Sequence, residues 1–548
     1  MAPLLASSPR GASAALAALS IASASSILAA GSACATESLA ASRAPPATAA
    51  LAYSGQPIDV LTYHGDNLRT GWNRQETDLT VAKVSSSKFT QLKSLAVDGD
   101  VLAQPLVVAG FKMPDKSTHD VLLVVTENNS VYAFDFATYA TLWHVNLGPP
   151  QNANDVGCPH VHPLYGISAT PAIVRDGAGR ATVYLVSATE PAEGKFHTQL
   201  HALDLADGSA AHAPVEIRAK AKLEDGSTIE YSPANQWFRA GISEDDKGIY
   251  LAASSHCDNA ASSISGWVLR YDRDLKQTGA FSTIRTSAGY ELAAIWASGF
   301  APAVDTDGSI FAITGNGNFS KGGRDWGESV LRLAPALNEV EDFFTPAAYA
   351  SLNARDMDFG SGGVMLIPER RGQEAPPLAV AMGKDDVLYL LDRTRLGHQH
   401  PDDTGALQAT RLGTSGAGVW GGPCYWYGPE GGRVYYQASS DTLRAYALED
   451  GKHPALQEVA HGSSTGGYGG SLPIGSSMGT LGGTGIVWTV NRNGPTLEAY
   501  DAQALGTPIF SASLPAWTAG NPFLTPLQAN GRVVVGTSKA VVIFGLAQ

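Results

Sequence analysis

The stretch "SSHCDN" at 254–259 closes a plain apolar run, "GIYLAA", with His256, Cys257 and Asp258 in a row. A strand end needs only a polar turn, so three reactive side chains together raise the question of chemistry. Two later stretches have the same character: "IWASGFAP" leading to "ITGNGNFSKGGRDWGES", and "ARDMDFGSGG" leading to "MGKDDVLYLLDR". They add Trp296, Asn316, Asp358 and Lys384 to Asp258. Two carboxylates and an amide oxygen are hard donors that suit Ca²⁺, and suit Zn²⁺ less. A carboxylate not fully engaged by a metal can act as a general base, while the metal polarises a carbonyl. Trp296 offers a flat face to an aromatic ligand, and Lys384 a cation to an anionic one. Each residue also has an ordinary reading as a turn or packing residue, so the chemistry depends on whether the fold brings them together.

The elements that must do so are short and β-forming. One signature recurs eight times, as "VYAFD" (131–135), "LHALD" (200–204), "VLRYD" (268–272), "VLRLA" (330–334), "LYLLD" (388–392), "LRAYA" (443–447), "LEAYD" (497–501) and "VVIFG" (541–545). A second apolar run precedes each copy, with Gly, Asn, Ser and Asp between the two, which is the pattern of an antiparallel pair. A further short strand often comes first, as in "AQPLVV", "SATPAIV" and "GFAPAVD". Each unit is then a small sheet that cannot bury both faces alone, and radial stacking buries them. The expected fold is all-β, an eight-bladed β-propeller over 57–548. In such a ring, equivalent strand ends converge at one mouth of the channel, where Asp258, Asn316 and Asp358 would meet. The last unit is short, and "PIDVLTYHG" (57–65) is the expected source of its missing strand. "PAAYASLNA" (346–354) is the one expected short helix.

Composition supports this reading. Gly numbers 59 of 548 residues and charged residues are 16%, a profile for strands and tight turns rather than helical bundles. Net charge is −14 with no basic block, which argues against nucleic acid and anionic membrane surfaces as partners. Arg10 followed by a small, apolar stretch ending in Ala33-Cys34-Ala35 reads as an export signal over 1–35, with a Pro/Ala/Ser linker over 36–56. The competing reading is a lipoprotein anchored through Cys34. Either way the expected location is periplasmic or secreted. No other stretch approaches the run of about 18 apolar residues that a membrane span needs. Cys158, Cys257 and Cys424 would remain after processing, which is too few for a disulfide scaffold. His160, His162 and His256 could group around a transition metal, with packing as the simpler reading, and Cys424 reads as a buried small apolar residue.

At this point the motifs resemble a known family. "YHGDNLRTGWN" (63–73), "AQPLVV…VYAFD", "TGNGNF" and "GKDDVLYLLDRT" are similar to segments of the eight-bladed quinoprotein alcohol dehydrogenases, which use pyrroloquinoline quinone (PQQ) and usually Ca²⁺. "YGISATP", "SHCDN…GWV" and "DMDFGSGG" resemble exported bacterial PQQ-repeat propeller proteins most closely. The resemblance implies that Asp258, Asn316 and Asp358 hold the metal, that Asp358 is the catalytic base, and that Ser255, Trp296 and Lys384 contact the quinone. Gly360 stands where lanthanide-dependent members carry an extra Asp, which favours Ca²⁺.

The departures are specific. The family's adjacent cysteine pair is represented only by Cys158 in "GCPHVHPLYG". A pair ending there would need a cysteine at position 157, and none is present, because the residue is Gly157. Asp258 replaces a longer Glu, and the Arg expected after the cysteine pair is not evident. A Cys158–Cys257 bridge would replace the family's lid in another form. No C-x-x-C-H is present, so no fused c-type haem is expected, and electrons would pass to a separate acceptor. The resulting expectation is an exported enzyme oxidising a small alcohol. The alternative is a cofactor-free propeller serving as a binding or assembly scaffold. A hydrolase or lyase reading finds no nucleophile–base arrangement to support it.

Overall fold

A computed structural model describes residues 52–548, apart from 160, 259–263, 288–291, 370–373, 413–417, 493 and 518–522. The expected signal, most of the linker and His160 therefore lie outside the described residues. Consecutive antiparallel sheets of about four strands follow one another along the chain. The first contains Leu106–Lys112, Thr118–Val125, Ser130–Asp135 and Thr141–Asn146, paired in chain order. The next repeats this with Ala172–Arg175, Ala181–Thr189, His197–Asp204 and Ala210–Glu216. Every copy of the recurring signature falls on a strand, from Ser130–Asp135 to Arg532–Leu546. Apolar side chains from neighbouring sheets fill the seams between them. One core cluster, for example, joins Val121 and Leu123 to Val183 and Leu185 of the following sheet.

The missing strand of the last sheet comes from a different place than 57–65. Phe89–Asp100 pairs antiparallel with Arg532–Leu546, from Phe89 opposite Leu546 to Asp100 opposite Ser538. The physical reason lies in the side chains. Phe89, Leu92, Leu95 and Val97 are buried and can cover a sheet face. In contrast, 57–65 contains His64 in the left-handed region (φ 56°) and a 3₁₀ turn at Tyr63–Gly65. The short helix is present over Tyr349–Ala354.

Residues 60–73 instead form a belt that visits the innermost strands in turn. Val60 exchanges backbone bonds with Val107, and the carbonyl of Leu61 accepts from Ile173 N–H at 2.8 Å. Asn67 accepts from Val304 at 2.8 Å, Leu68 from Leu366 at 2.9 Å, Thr70 from Tyr425 at 2.8 Å and Gly71 from Gly475 at 2.8 Å. Asn73 Nδ2 then donates to Gln528 Oε1 at 2.7 Å. The innermost strand of each sheet has an open edge, and the belt satisfies part of it.

Arg69 pins the belt from inside. It is fully buried and donates from Nε to the Pro302 carbonyl (3.0 Å) and from Nη2 to Ser243 Oγ (2.7 Å). Its Nη1 reaches Thr62 Oγ1 and the Tyr63 and Asp66 carbonyls at 2.9–3.0 Å. Arg69→Ala strands these acceptors in the core and is expected to cost about 3–5 kcal/mol of unfolding free energy. The exposed neighbour Arg74→Ala should cost under about 0.5 kcal/mol. Urea denaturation of both variants checks this, and equal small losses would contradict it.

Candidate functional site

The side chains that could do chemistry come from two kinds of position. Ser255, Asp258, Asn316 and Lys384 lie at or just after the end of a second strand: Gly248–Ser255, Ile310–Ile313 and Leu378–Ala381. Arg239, Trp296, Asp358, Trp420, Tyr468 and Phe523 lie shortly before an innermost strand. First and second strands are antiparallel, so both kinds of position fall at the same end of the sheets. Apart from Asn316, these residues line one cavity of about 280 Å³, together with Cys158, Val161, Trp237, Cys257 and Asp356.

Asp358 accepts three hydrogen bonds through its carboxylate. Lys384 Nζ donates to Oδ2 at 2.6 Å, while the Asn316 backbone N–H reaches Oδ1 at 2.9 Å and Trp296 Nε1–H reaches it at 3.4 Å. The approach depends on glycine: a Cβ on Gly315 would lie 2.3 Å from Asp358 Oδ1, and one on Gly360 would lie 2.3 Å from Gly315 N. The "GNG" and "DFG" stretches are thus two loops interlocked through absent side chains. Burial works against the Lys384 ammonium, but Asp358, by charge and hydrogen bond, holds its pKa above the ordinary lysine value.

Asp258 reaches the cavity on a strained turn. Cys257 and Asp258 are both left-handed, with φ of 48° and 55°. The Ser255 hydroxyl donates to Asp258 Oδ1. Burial, and after it the charge of Asp358, push the Asp258 pKa from 3.8 up to about 6, against the Ser255 bond. Asn316 Nδ2 donates to Asp356 Oδ1 at 2.6 Å, and the buried Asn316 Oδ1 has no hydrogen-bond partner among the described residues. Two mutually repelling carboxylates and an orphaned amide oxygen are a donor set that a hard cation would satisfy. Ca²⁺ takes about six to eight oxygens, so these side chains would be only part of its shell. Among the described residues, no group of three His, Cys, Asp or Glu is placed to hold a metal ion.

Cys158 and Cys257 form a disulfide with a Cα–Cα distance of 5.5 Å, and both line the cavity. Position 157 contributes no sulfur to it. Gly157 is left-handed, with φ of 72°, and its N–H closes a turn on the Asn154 carbonyl at 3.1 Å. A pair formed by residues 157 and 158 is therefore replaced by a glycine turn that delivers Cys158 to a partner from another sheet. His162 and His256 pack behind the disulfide on Trp237, with ring centroids 5.8 and 5.5 Å away. Burial lowers the His256 pKa to about 3, so the ring is a neutral packing element at ordinary pH. Cys424 is a buried free thiol.

Several site residues escaped the sequence reading. Arg239 brings a guanidinium 4.1 Å from the Phe523 ring centroid and 5.5 Å from Trp296. Trp420 meets Trp296 edge-on at 5.7 Å. Asp356, two residues before Asp358, accepts from Asn316 and lies 3.9 Å from Lys384 Nζ. Glu328 sits fully buried and accepts the Phe359 N–H at 2.6 Å, so it fixes the peptide that follows Asp358. Burial, and then Asp358, raise its pKa well above the ordinary range. The available signal was positional: residues just before each first strand fall at the same mouth.

The Asp258 shift has a pH signature. Its folded pKa is raised, so its contribution to stability is complete below about pH 4 and is lost as pH rises through about 6. Asp258→Asn mimics the protonated form, so in metal-free protein it should raise Tm by about 2 °C at pH 8 relative to its effect at pH 5. Thermal denaturation at both pH values checks this, and a pH-independent difference would contradict it.

No family model and no curated protein matches the chain. Solved structures do. Quinohemoprotein alcohol dehydrogenase ADHIIG from Pseudomonas putida HK5 aligns over 90% of this chain and 80% of its own, at 13% identity and a TM-score of 0.60. Quinohemoprotein alcohol dehydrogenase from Comamonas testosteroni aligns over 89% and 80%, at 14% identity and 0.55. A europium-containing methanol dehydrogenase aligns over 90% of this chain and 98% of its own, at 12% identity and 0.57. The chain therefore has the β-propeller fold of the quinoprotein alcohol dehydrogenases.

Proposed function

We propose that the protein is an exported, eight-bladed quinoprotein-type dehydrogenase that oxidises an alcohol. In this reading residues 1–35 direct export, 36–56 are a linker, and 57–548 form the ring, in the periplasm or outside the cell, or anchored through Cys34. The observation that carries the proposal is the convergence of Asp258, Asp358, Lys384 and Trp296 on one cavity walled by the Cys158–Cys257 disulfide, with Asn316 bonded to Asp358 at its edge. The eight recurring signatures and the likeness to dehydrogenase folds support it. Among the described residues, no helix is long and apolar enough to cross a membrane.

PQQ, when bound, supplies the two-electron acceptor, and Ca²⁺ the Lewis acidity that aligns and polarises it. Asp258, Asn316 through Oδ1, and Asp358 would hold the cation. Trp296 and the disulfide present flat, apolar surfaces to a planar ring, and Lys384 and Arg239 present cations to its oxygens. Asp358 then accepts the hydroxyl proton of the alcohol, which requires Lys384 to share or leave Oδ2. Electrons leave to a separate acceptor. A cofactor-free scaffold is the second reading, favoured by the small donor set for a metal.

Incubation with PQQ and Ca²⁺, followed by absorbance spectroscopy and dye-linked oxidation of an alcohol panel, separates the two. The dehydrogenase reading expects bound quinone and turnover. It also expects Asp358→Ala to lower turnover about 100-fold or more while quinone stays bound. Absence of both binding and turnover would favour the scaffold.

A further inference from the structure

Tyr468 is anomalous for its surroundings. It is 56% exposed, one of few large apolar side chains left open among the described residues, yet it also lines the cavity. Its ring meets Trp420 edge-on at a centroid distance of 4.4 Å, and Trp420 meets Trp296 edge-on at 5.7 Å. Trp296 in turn points Nε1 at Asp358. Three rings therefore form one continuous wall from the acid to solvent. Trp420 Nε1–H is buried along this wall with no acceptor among the described residues. The rest of the lining mixes the charged Arg239, Asp258, Asp356, Asp358 and Lys384 with Ser255 and with Val161, Trp237, Phe523 and the Cys158–Cys257 disulfide.

From this we infer that the Trp420–Tyr468 wall is a specificity subsite for the aryl group of an aromatic alcohol. The inference rests on the dehydrogenase reading above and names its substrate class. A hydroxyl at Asp358 leaves its carbon substituent to lie against one side of the cavity. Charged groups would be desolvated by an apolar substituent, whereas Trp420 and Tyr468 gain from covering it. Edge-to-face contacts of the kind Trp420 already makes with both neighbours favour a flat aryl ring over a short alkyl chain. A small alcohol would leave both rings wet and unused. The plainer role, Tyr468 as a surface cap on Trp420, would affect stability without changing selectivity.

The test uses the full protein loaded with PQQ and Ca²⁺, with benzyl alcohol and ethanol as probes. Tyr468→Ala should lower the ratio of kcat/KM for benzyl alcohol to that for ethanol by about tenfold. Tyr468→Phe keeps the ring and should keep the ratio within about twofold. Melting temperatures of both variants report whether the fold survives. An unchanged ratio in a folded Tyr468→Ala protein overturns the inference while leaving the dehydrogenase reading intact. If neither alcohol is oxidised, benzyl alcohol is titrated against tryptophan fluorescence. Binding weakened by Tyr468→Ala then upholds the aromatic subsite, binding unaffected by it overturns the subsite, and the dehydrogenase reading is decided separately by quinone binding and the wider alcohol panel.

Discussion

The belt of residues 60–73 is the constraint on which the rest of the molecule depends. A ring of small sheets has a weak point at its hub, where innermost strands end without a neighbour. Here one stretch of backbone supplies partners to strands from Val107 to Gly475, and Arg69 locks that stretch from within. A second closure, Phe89–Asp100 on Arg532–Leu546, ties an early segment to the last strand of the ring. With hub and seam both fixed, loops at one end of the sheets are held at set positions around the axis. A site can then be assembled from residues as distant in sequence as Cys158 and Phe523.

That site is a problem in charge balance. Asp258, Asp356 and Asp358 share one cavity with two cations, Lys384 and Arg239. Lys384 is committed to Asp358 at 2.6 Å, whereas among the described residues a serine hydroxyl bonds Asp258 and no group bonds Asn316 Oδ1. The imbalance is local. Asp358 is well served by donors, and the neighbouring oxygens are not. A cation placed among those oxygens would lower the cost of ionising Asp258, which burial and Asp358 now raise to a pKa of about 6. The same buried arrangement costs stability without a ligand, as functional sites often do.

Much of the fold was legible because its information is periodic. Each recurring signature names a strand, and the polar turn before it names the hairpin. Asp258, Asn316 and Lys384 were legible because they follow such strands directly. The Cys158–Cys257 pairing was approached through the shared mouth rather than through spacing, since 99 residues separate the two. Glycine at 157 had already removed the alternative of an adjacent pair. What escaped were residues set by tertiary contact alone. Sequence pattern points to 57–65 for the closing strand, although Phe89, Leu92 and Leu95 carry the apolar face that a strand needs. Arg239, Trp420, Tyr468 and Phe523 sit in Gly-rich or irregular approaches to first strands, where sequence gives no period to follow. Glu328 becomes a buried support for Asp358 only through a tertiary contact, the Phe359 N–H that it accepts.

In the proposed function, the unsatisfied oxygens at this mouth would be a cation site coupled to a planar cofactor. A crystal structure of the protein equilibrated with Ca²⁺ and PQQ tests it most directly. The expected result is an ion within bonding distance of Asn316 Oδ1, Asp258 and Asp358, with planar density between Trp296 and the Cys158–Cys257 disulfide. Density for neither, with Lys384 still paired to Asp358 and Asn316 Oδ1 still without a partner, would contradict it.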